Sequence, residues 1–506
     1  MLHTVDYLVI GVYLIGVVVF GIKSAGKQRS TKDYFLGSKE LPWWAICFSI
    51  VATETSTLTV IGIPAVAYGG NMTFFQLTFG YLTGRIVVAA VFLPRYMRGE
   101  MQTAYSFLGE RFGPNMQRLS SVTFLATRLL ADGVRLFATA IPIRIIALSA
   151  GYDIGYPVII LGIGALTAIY TYVGGFKAVV WMDVVQMTLY VFGALLTIIL
   201  LSNSLPSGTF NSLIEAGKTK LFYVDFSMQA ILTQPYVLVT AVIGGGIFSM
   251  ASHGTDQLIV QRLLSCKSLG DARKALVGSS LFVMVQFAIF LVVGALLWSF
   301  YSGANVTELG LSRMDEVFPK YIVEQLPIGI SGLVLAGILA AAMSTLSSSL
   351  NALASSSMTD LFSKQVARLD EAAALRLSKL MTLGWAVVFI VFATLFENMQ
   401  NPVVELGLSI ASFTYGALLG AFLLGLAFRR VQEKEAMIAF VCSVVLMVVI
   451  IFGVWTTAEG EWIFMFYPSA EVKASLGLTS IAWPWFTALG TLITLGVGSL
   501  LSILHK

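Results

Sequence analysis

The sequence predicts an all-α, polytopic membrane protein, and three observations carry that prediction. Of its 506 residues 57% are hydrophobic and 11% charged, a balance that soluble domains do not keep. Apolar runs long enough to cross roughly 30 Å of hydrocarbon recur along the whole chain, about thirteen of them, with short polar gaps between. None shows the alternating pattern of a membrane barrel, so helices are the spanning element.

The runs begin near Thr4, Trp43, Met72, Ser120, Tyr156, Asp183, Gln234, Ala272, Pro327, Ser378, Asn401, Ala436 and Ile481. The first, Thr4 to Gly21, leads into a basic loop and not into a small-residue cleavage site, which marks a retained helix rather than a signal peptide. Cys47, Cys266 and Cys442 lie in or beside spans with no metal-binding spacing, and His3, His253 and His505 are scattered, so no catalytic constellation emerges. The chain is not read as an enzyme. His253, at a helix end, is expected only to be packed.

Lys and Arg fall in alternate loops. One set holds Lys23, Lys27, Arg29, Lys32, Lys39, Arg95, Arg98, Arg111, Arg118, Lys177, Arg262, Lys267, Arg273, Lys274, Lys364, Arg368, Arg376, Lys379, Arg429, Arg430, Lys434 and Lys506. The other holds only Lys218, Lys220, Arg313, Lys320 and Lys473. The positive-inside rule makes the first set cytoplasmic, the N-terminus external and the C-terminus internal, as an odd number of spans requires. A cell (inner) membrane is the expected location. Arg85, Arg128, Arg135 and Arg144 fall within spans, where charge is costly and is usually paired or functional.

The second span, VATETSTLTVIGIPAVAYGG (Val51 to Gly70), combines Glu54 and several hydroxyls with Gly62, Pro64, Gly69 and Gly70. A helix interrupted near Ala52 to Ser56 would free backbone carbonyls, which are tolerated at that depth only where they line a cavity or bind an ion. Further along, VIGGGIFSMASHGTDQ puts Gly244, Gly245 and Gly246 together, and a second interruption is expected there. Paired broken helices point to an inverted-repeat secondary transporter; close helix packing is the other use of such glycines. In Leu335 to Asp360, Ser344, Thr345, Ser347, Ser348 and Ser349 crowd one stretch. Such hydroxyls either bridge packed helices or, with freed carbonyls, offer uncharged hard oxygens to Na+.

Five blocks in order carry a family resemblance: DYFLGSKELPWW, TAYSFLGERFG (Thr103 to Gly113), IYTYVGGFKAVVWMDVVQ (Ile169 to Gln186), GTDQLIVQR (Gly254 to Arg262) and AAAMSTLSSSLN (Ala340 to Asn351). The chain resembles the sodium:solute symporters, the family of bacterial proline, pantothenate, galactose and sialic acid transporters and of human sodium/glucose cotransporters. The resemblance implies two inverted five-helix repeats, placed at 43–203 and 204–430, with an extra helix and basic loop at 1–42 and two helices at 431–506. It implies a main Na+ site from the carbonyls of Ala52, Thr55 and Ala341 and the hydroxyls of Ser344 and Thr345. A second Na+ would sit at Asp183 with Ser347 and Ser348; a lone Asp at a membrane boundary also serves as a helix cap.

The resemblance also implies substrate ligands at Glu54, Ser56, Thr59, Phe74, Thr78, Arg135 and Ser249, with Phe74 as a gate. The guanidinium of Arg135 suits a carboxylate, so an amino acid, sialic acid or monocarboxylate is the expected cargo and a neutral sugar or polyol the alternative. Arg128, Asp132 and Arg135 also share one helical face, where Asp132 would bridge both cations, and Glu54 would pair with Arg85, Arg128 or Arg135. The partners expected are Na+, a small organic solute and the bilayer, with no nucleic acid and no obligate protein. A membrane sensor and a channel are the competing classes. A sensor would need an output domain, and a channel a continuous polar pore.

Overall fold

A computed structural model describes residues 2–98, 101–149, 151–395 and 403–504; the expected span start at Asn401, and His505 and Lys506, lie outside them. The chain is built almost wholly of helices. They are α1 (Thr4–Ser24), α2 (Trp43–Glu54), α3 (Thr57–Gly69), α4 (Met72–Tyr96), α5 (Pro114–Ser149) and α6 (Tyr156–Ser204). There follow α7 (Gly245–Gly254), α8 (Gln257–Leu264), α9 (Leu269–Phe300), α10 (Ile330–Ser356), α11 (Glu371–Thr394), α12 (Val403–Ala427), α13 (Glu433–Gly453) and α14 (Pro484–Leu504). A small antiparallel sheet of Val454–Thr456, Trp462–Phe464 and Thr479–Ser480 between α13 and α14 is an addition to the expected all-α fold.

Among the described residues eight helices are long and apolar enough to cross a bilayer, and α2 with α3 makes nine. Helix α5 is as long as a span, but Arg118, Arg128, Asp132, Arg135 and Arg144 interrupt its apolar surface. Helix α6 has 49 residues; at 1.5 Å per residue that is about 74 Å, more than two bilayer cores. It divides at Gly175, whose φ of 57° and ψ of −158° suit only glycine, and a Cβ there would meet the Tyr34 ring at 2.7 Å. The second half therefore starts before Asp183, and that residue lies two turns inside it rather than at its first turn, where it could serve as a cap.

The first expected interruption is present: α2 and α3 meet at an angle of 66°. The second is displaced. Gly244, Gly245 and Gly246 stay helical, continuing out of a wide turn at Thr240–Gly244, and the chain breaks ten residues later at Thr255 and Asp256. The glycines serve helix packing instead. A Cβ on Gly80 or Gly84 would lie 2.4 Å from the Ala241 carbonyl oxygen or 2.3 Å from that of Gly246, so α4 and α7 touch backbone to backbone.

Helix α10 is the central post. Every residue from Val334 to Ser356 is buried. Its small side chains admit close neighbours; a Cβ on Gly337 would stand 3.1 Å from the Tyr190 Cα of α6. This brings the hydroxyls of α10 against the broken pair α2–α3.

Candidate functional site

The site begins with the unwound junction. Thr55 (φ −85°, ψ 105°) and Ser56 (φ −98°, ψ 172°) are extended, which takes two residues out of the helical ladder. The Thr55 amide makes the last helical bond, to Val51, and the Ser56 amide donates to the Thr59 hydroxyl at 3.3 Å rather than closing a turn on Ala52. Neighbouring helices take over the junction. Gln286 of α9 donates to the Thr55 hydroxyl at 2.7 Å, and the Thr57 hydroxyl donates to the Ile338 carbonyl of α10 at 3.2 Å.

Thr345 completes the contact, its hydroxyl lying 3.5 Å from the Thr55 carbonyl oxygen and 3.2 Å from that of Ala341. Ala52, Thr55, Ala341, Ser344 and Thr345 are all buried. They supply neutral, hard oxygen donors from both sides of the break, a set that fits an alkali ion as cargo. The Ser344 hydroxyl gives its proton to Asp183 at 2.6 Å, which leaves its lone pairs for a cation. Among the described residues no group of three or more His, Cys, Asp or Glu forms a conventional metal site.

On the other side of the junction lies a cavity of about 760 Å³. Thr53, Glu54, Ser56 and Thr59 line it from the broken helix, with Arg135 and Phe74. Most of the remaining wall is apolar, including Leu58, Ile63, Tyr81, Phe248, Phe287 and Trp483. Phe74 packs its ring against Tyr236 and Phe287, with centroids 5.3 and 5.5 Å apart. At the far end stand Gly69, Gly70, Arg313 and Asp315. There Lys218 donates to the carbonyls of Tyr68 and Gly70 at 2.6 and 2.9 Å and lies over the Trp298 ring, tying down the end of α3. Burial pulls this ammonium below the ordinary lysine range.

Two expected ligands do not reach the cavity. The Thr78 and Ser249 hydroxyls are buried and donate to the carbonyls of Phe75 (2.7 Å) and Tyr81 (3.1 Å), because both belong to the tight α4–α7 contact. His253, expected to be merely packed, lines the cavity floor. Its Nδ1 meets Ser252 at 2.8 Å and its Nε2 stands 3.6 Å from Glu54.

The charges in the bundle are paired. Arg85, fully buried, donates to Glu54 at 2.5 Å and to Ser279 at 2.6 Å. Asp132 bridges Arg128 (3.5 Å) and Arg135 (3.0 Å), as the helical spacing predicts, and accepts from Ser349 at 2.5 Å. Arg128 is held further by Asp256 and by the Tyr415 hydroxyl. Arg135 is the more open of the two, with its side chain 24% exposed against 7% for Arg128.

Asp183 is sealed. It accepts from Ser344, from Ser49 at 2.5 Å and from Arg262 at 3.1 Å. Ser348 is joined to it through Arg262, whereas Ser347 donates to the Ser344 carbonyl of its own helix at 3.0 Å. Arg262, counted in the sequence among the cytoplasmic loop cations, is instead 1% exposed and paired with Asp183, and the roles of Gln286 and Asp256 went unnoticed. For Arg262 and Asp256 the signal available was their place in GTDQLIVQR; Gln286, alone in an apolar helix, gave none beyond its polarity.

A long discontinuous helix packed on a hydroxyl-rich one, with a cavity at the break, defines an inverted-repeat secondary transporter. The profile of the sodium:solute symporter family matches residues 34–443, and the chain belongs to that family. The sodium/sialic acid symporter NanT of Aliivibrio fischeri is 25% identical over 465 residues, covering 92% of this chain and 90% of NanT. Sodium-coupled monocarboxylate transporter 2 of Mus musculus is 28% identical over 480 residues, covering 92% of this chain and 74% of that one. Among solved structures, the substrate-bound outward-open state of a Na+-coupled sialic acid symporter shares the fold, with a TM-score of 0.81 at 22% identity over 99% of this chain and 98% of that one. The protein is therefore a multi-pass, sodium-coupled membrane transporter and not an enzyme.

Proposed function

We propose that the chain couples entry of Na+ to uptake of a small carboxylate-bearing solute by alternating access, with the ion at Ala52, Thr55, Ala341, Ser344 and Thr345. The observation that carries the cargo reading is Arg135: it lines the cavity with its side chain 24% exposed, and the contact to Asp132 is made through Nη1. A carboxylate fits that fork. Charge supports the same reading. The pairs Arg85–Glu54 and Arg128–Asp256 and the shared Asp132–Arg135 leave the cavity close to neutral. Na+ then brings one uncompensated charge, which a monoanion balances.

Glu54 is engaged by Arg85, so an amine on the cargo would have to compete for it; this favours a carboxylate with an apolar or hydroxylated body over an amino acid. The hydroxyls of Ser56 and Thr59 and the ring of Phe74 complete the proposed contacts. The proposed orientation, N-terminus outside and C-terminus inside a bacterial inner membrane, opens the cavity to the exterior by way of Gly70 and Arg313. The repeats are taken as 43–203 and 204–430, and no protein partner is required. With one Na+ and a monoanion the cycle moves no net charge, so accumulation is driven by the Na+ concentration gradient; the membrane potential, about 2.3 kcal/mol per net charge per 100 mV, would add to it only for a neutral or zwitterionic cargo.

Uptake into proteoliposomes under an imposed Na+ gradient tests this, using short monocarboxylates, a sugar acid, an amino acid and a neutral sugar. Carboxylates should be accumulated or compete, and Arg135→Gln should raise their KM by about 10-fold or more, the loss of one charged hydrogen bond. Accumulation of the neutral sugar alone, or uptake indifferent to Na+, would contradict the proposal.

A further inference from the structure

We propose that Arg262 is a tethered cation that occupies the place beside Asp183 where a second Na+ would bind, so that the chain binds a single Na+. The inference rests on the reading of the main Na+ site given above and sets its stoichiometry. Asp183 is fully buried on α6 and both its oxygens are engaged: Oδ1 accepts from Ser344 at 2.6 Å, and Oδ2 from Ser49 at 2.5 Å and from Arg262 at 3.1 Å. Three of the roughly four acceptor positions of the carboxylate are thereby taken, and its charge is already matched by the guanidinium.

The guanidinium is fixed from several sides at once. Its Nε donates to Ser49 at 2.8 Å, its Nη1 to the Leu258 carbonyl at 2.7 Å, and its Nη2 to Asp183 and Ser348, with the Phe176 ring 5.9 Å away. Arg262 is 1% exposed. The hydroxyls that a second ion would recruit differ in what they have left to offer. The decisive one is Ser348, which accepts from Arg262 and is paired with Thr53 at 3.1 Å; Ser347 donates to the Ser344 carbonyl and keeps its lone pairs, but without Asp183 and Ser348 it is a single ligand.

A covalently attached cation carries no translational entropy to lose, and its charge already neutralises the acid. A sodium ion would have to expel it and leave a guanidinium buried without a counterion, which is strongly unfavourable. The arrangement also orients the main site: with Asp183 held by Arg262, its Oδ1 draws the Ser344 proton away from the junction, turning the lone pairs of Ser344 toward the side where Thr55 and Thr345 meet.

Equilibrium binding of radiolabelled Na+ to the purified full-length chain tests the assignment without any solute. The wild type should bind one Na+ with a Hill coefficient near one, and Arg262→Lys, which keeps a cation, should do the same. Arg262→Gln frees Asp183 and should raise the count to two; adding Asp183→Asn to it should return the count to one. If Arg262→Gln does not fold, Asp183→Asn alone decides: the count stays at one if Arg262 fills the place. A wild type that binds two Na+ and falls to one with Asp183→Asn would overturn the inference, as would a folded Arg262→Gln that still binds one. A wild type that binds none would instead sink the main site.

Discussion

Two stretches of this chain looked equally prone to interruption, and they behave in opposite ways. Between α2 and α3 the helix unwinds at Thr55 and Ser56, neither of them glycine. At the start of α7 three consecutive glycines, Gly244 in the preceding wide turn and Gly245 and Gly246 in the helix, keep helical backbone. The difference is in the surroundings. At the break the Thr55 carbonyl meets the Thr345 hydroxyl and the Ser56 amide that of Thr59, while Gln286 holds the Thr55 side chain in place. At Gly244–Gly246 the neighbour is the backbone of α4 and, at Gly244, Pro484, offering surface to pack on. Buried backbone opens where partners wait for it, and glycine by itself marks close approach as readily as a break.

That contrast can be broken by substitution. The largest effect is expected at the junction's charge: Glu54→Gln leaves Arg85 buried without its anion, which should cost about 3–5 kcal/mol and lower the melting temperature in detergent. A variant as stable as wild type would mean that the junction does not depend on the pair. Next comes Thr345→Ala, which removes one oxygen from the proposed ion site. Apparent Na+ affinity should fall by about 10- to 150-fold, the equivalent of a charged hydrogen bond of about 1.5–3 kcal/mol.

The packing glycines should respond to size rather than to Na+. Gly84→Ala would push a methyl to 2.3 Å from the Gly246 carbonyl oxygen, an overpacking expected to cost about 1–3 kcal/mol in stability. The smallest effect belongs to Gly62 of α3, where a Cβ meets nothing within 4 Å; Gly62→Ala should be neutral or stabilise by up to about 1 kcal/mol. If Gly62→Ala destabilises more than Gly84→Ala in the same melting assay, the two stretches have been assigned the wrong roles.

Much of this was legible in the sequence because it depends on local pattern. Apolar run lengths marked most of the spans, the i, i+4, i+7 spacing placed Arg128, Asp132 and Arg135 on one face, and the hydroxyls around Ser344 and Thr345 stood out against an apolar background. What was not legible is set by helix register across long separations. Whether Glu54 would pair with Arg85, Arg128 or Arg135 depends on how α2, α4 and α5 rotate against one another. The same holds for Asp183, whose partner Arg262 lies 79 residues away, and for Gln286, 231 residues from Thr55. The hydroxyls of Thr78 and Ser249 are turned to the Phe75 and Tyr81 carbonyls for a related reason, since an offset counted along a helix does not say which side faces the void.

The account stands on the meeting of the Thr55 carbonyl and the Thr345 hydroxyl around Na+, and Na+-dependent stabilisation of the purified protein measures it most directly. A ligand that binds only the folded state raises stability by RT ln(1 + [L]/Kd), so the melting temperature should climb with Na+ and stay flat with K+ at equal ionic strength. Thr345→Ala should flatten the Na+ curve. Equal melting temperatures in Na+ and K+, or a Thr345→Ala protein that keeps the full wild-type response, would contradict it.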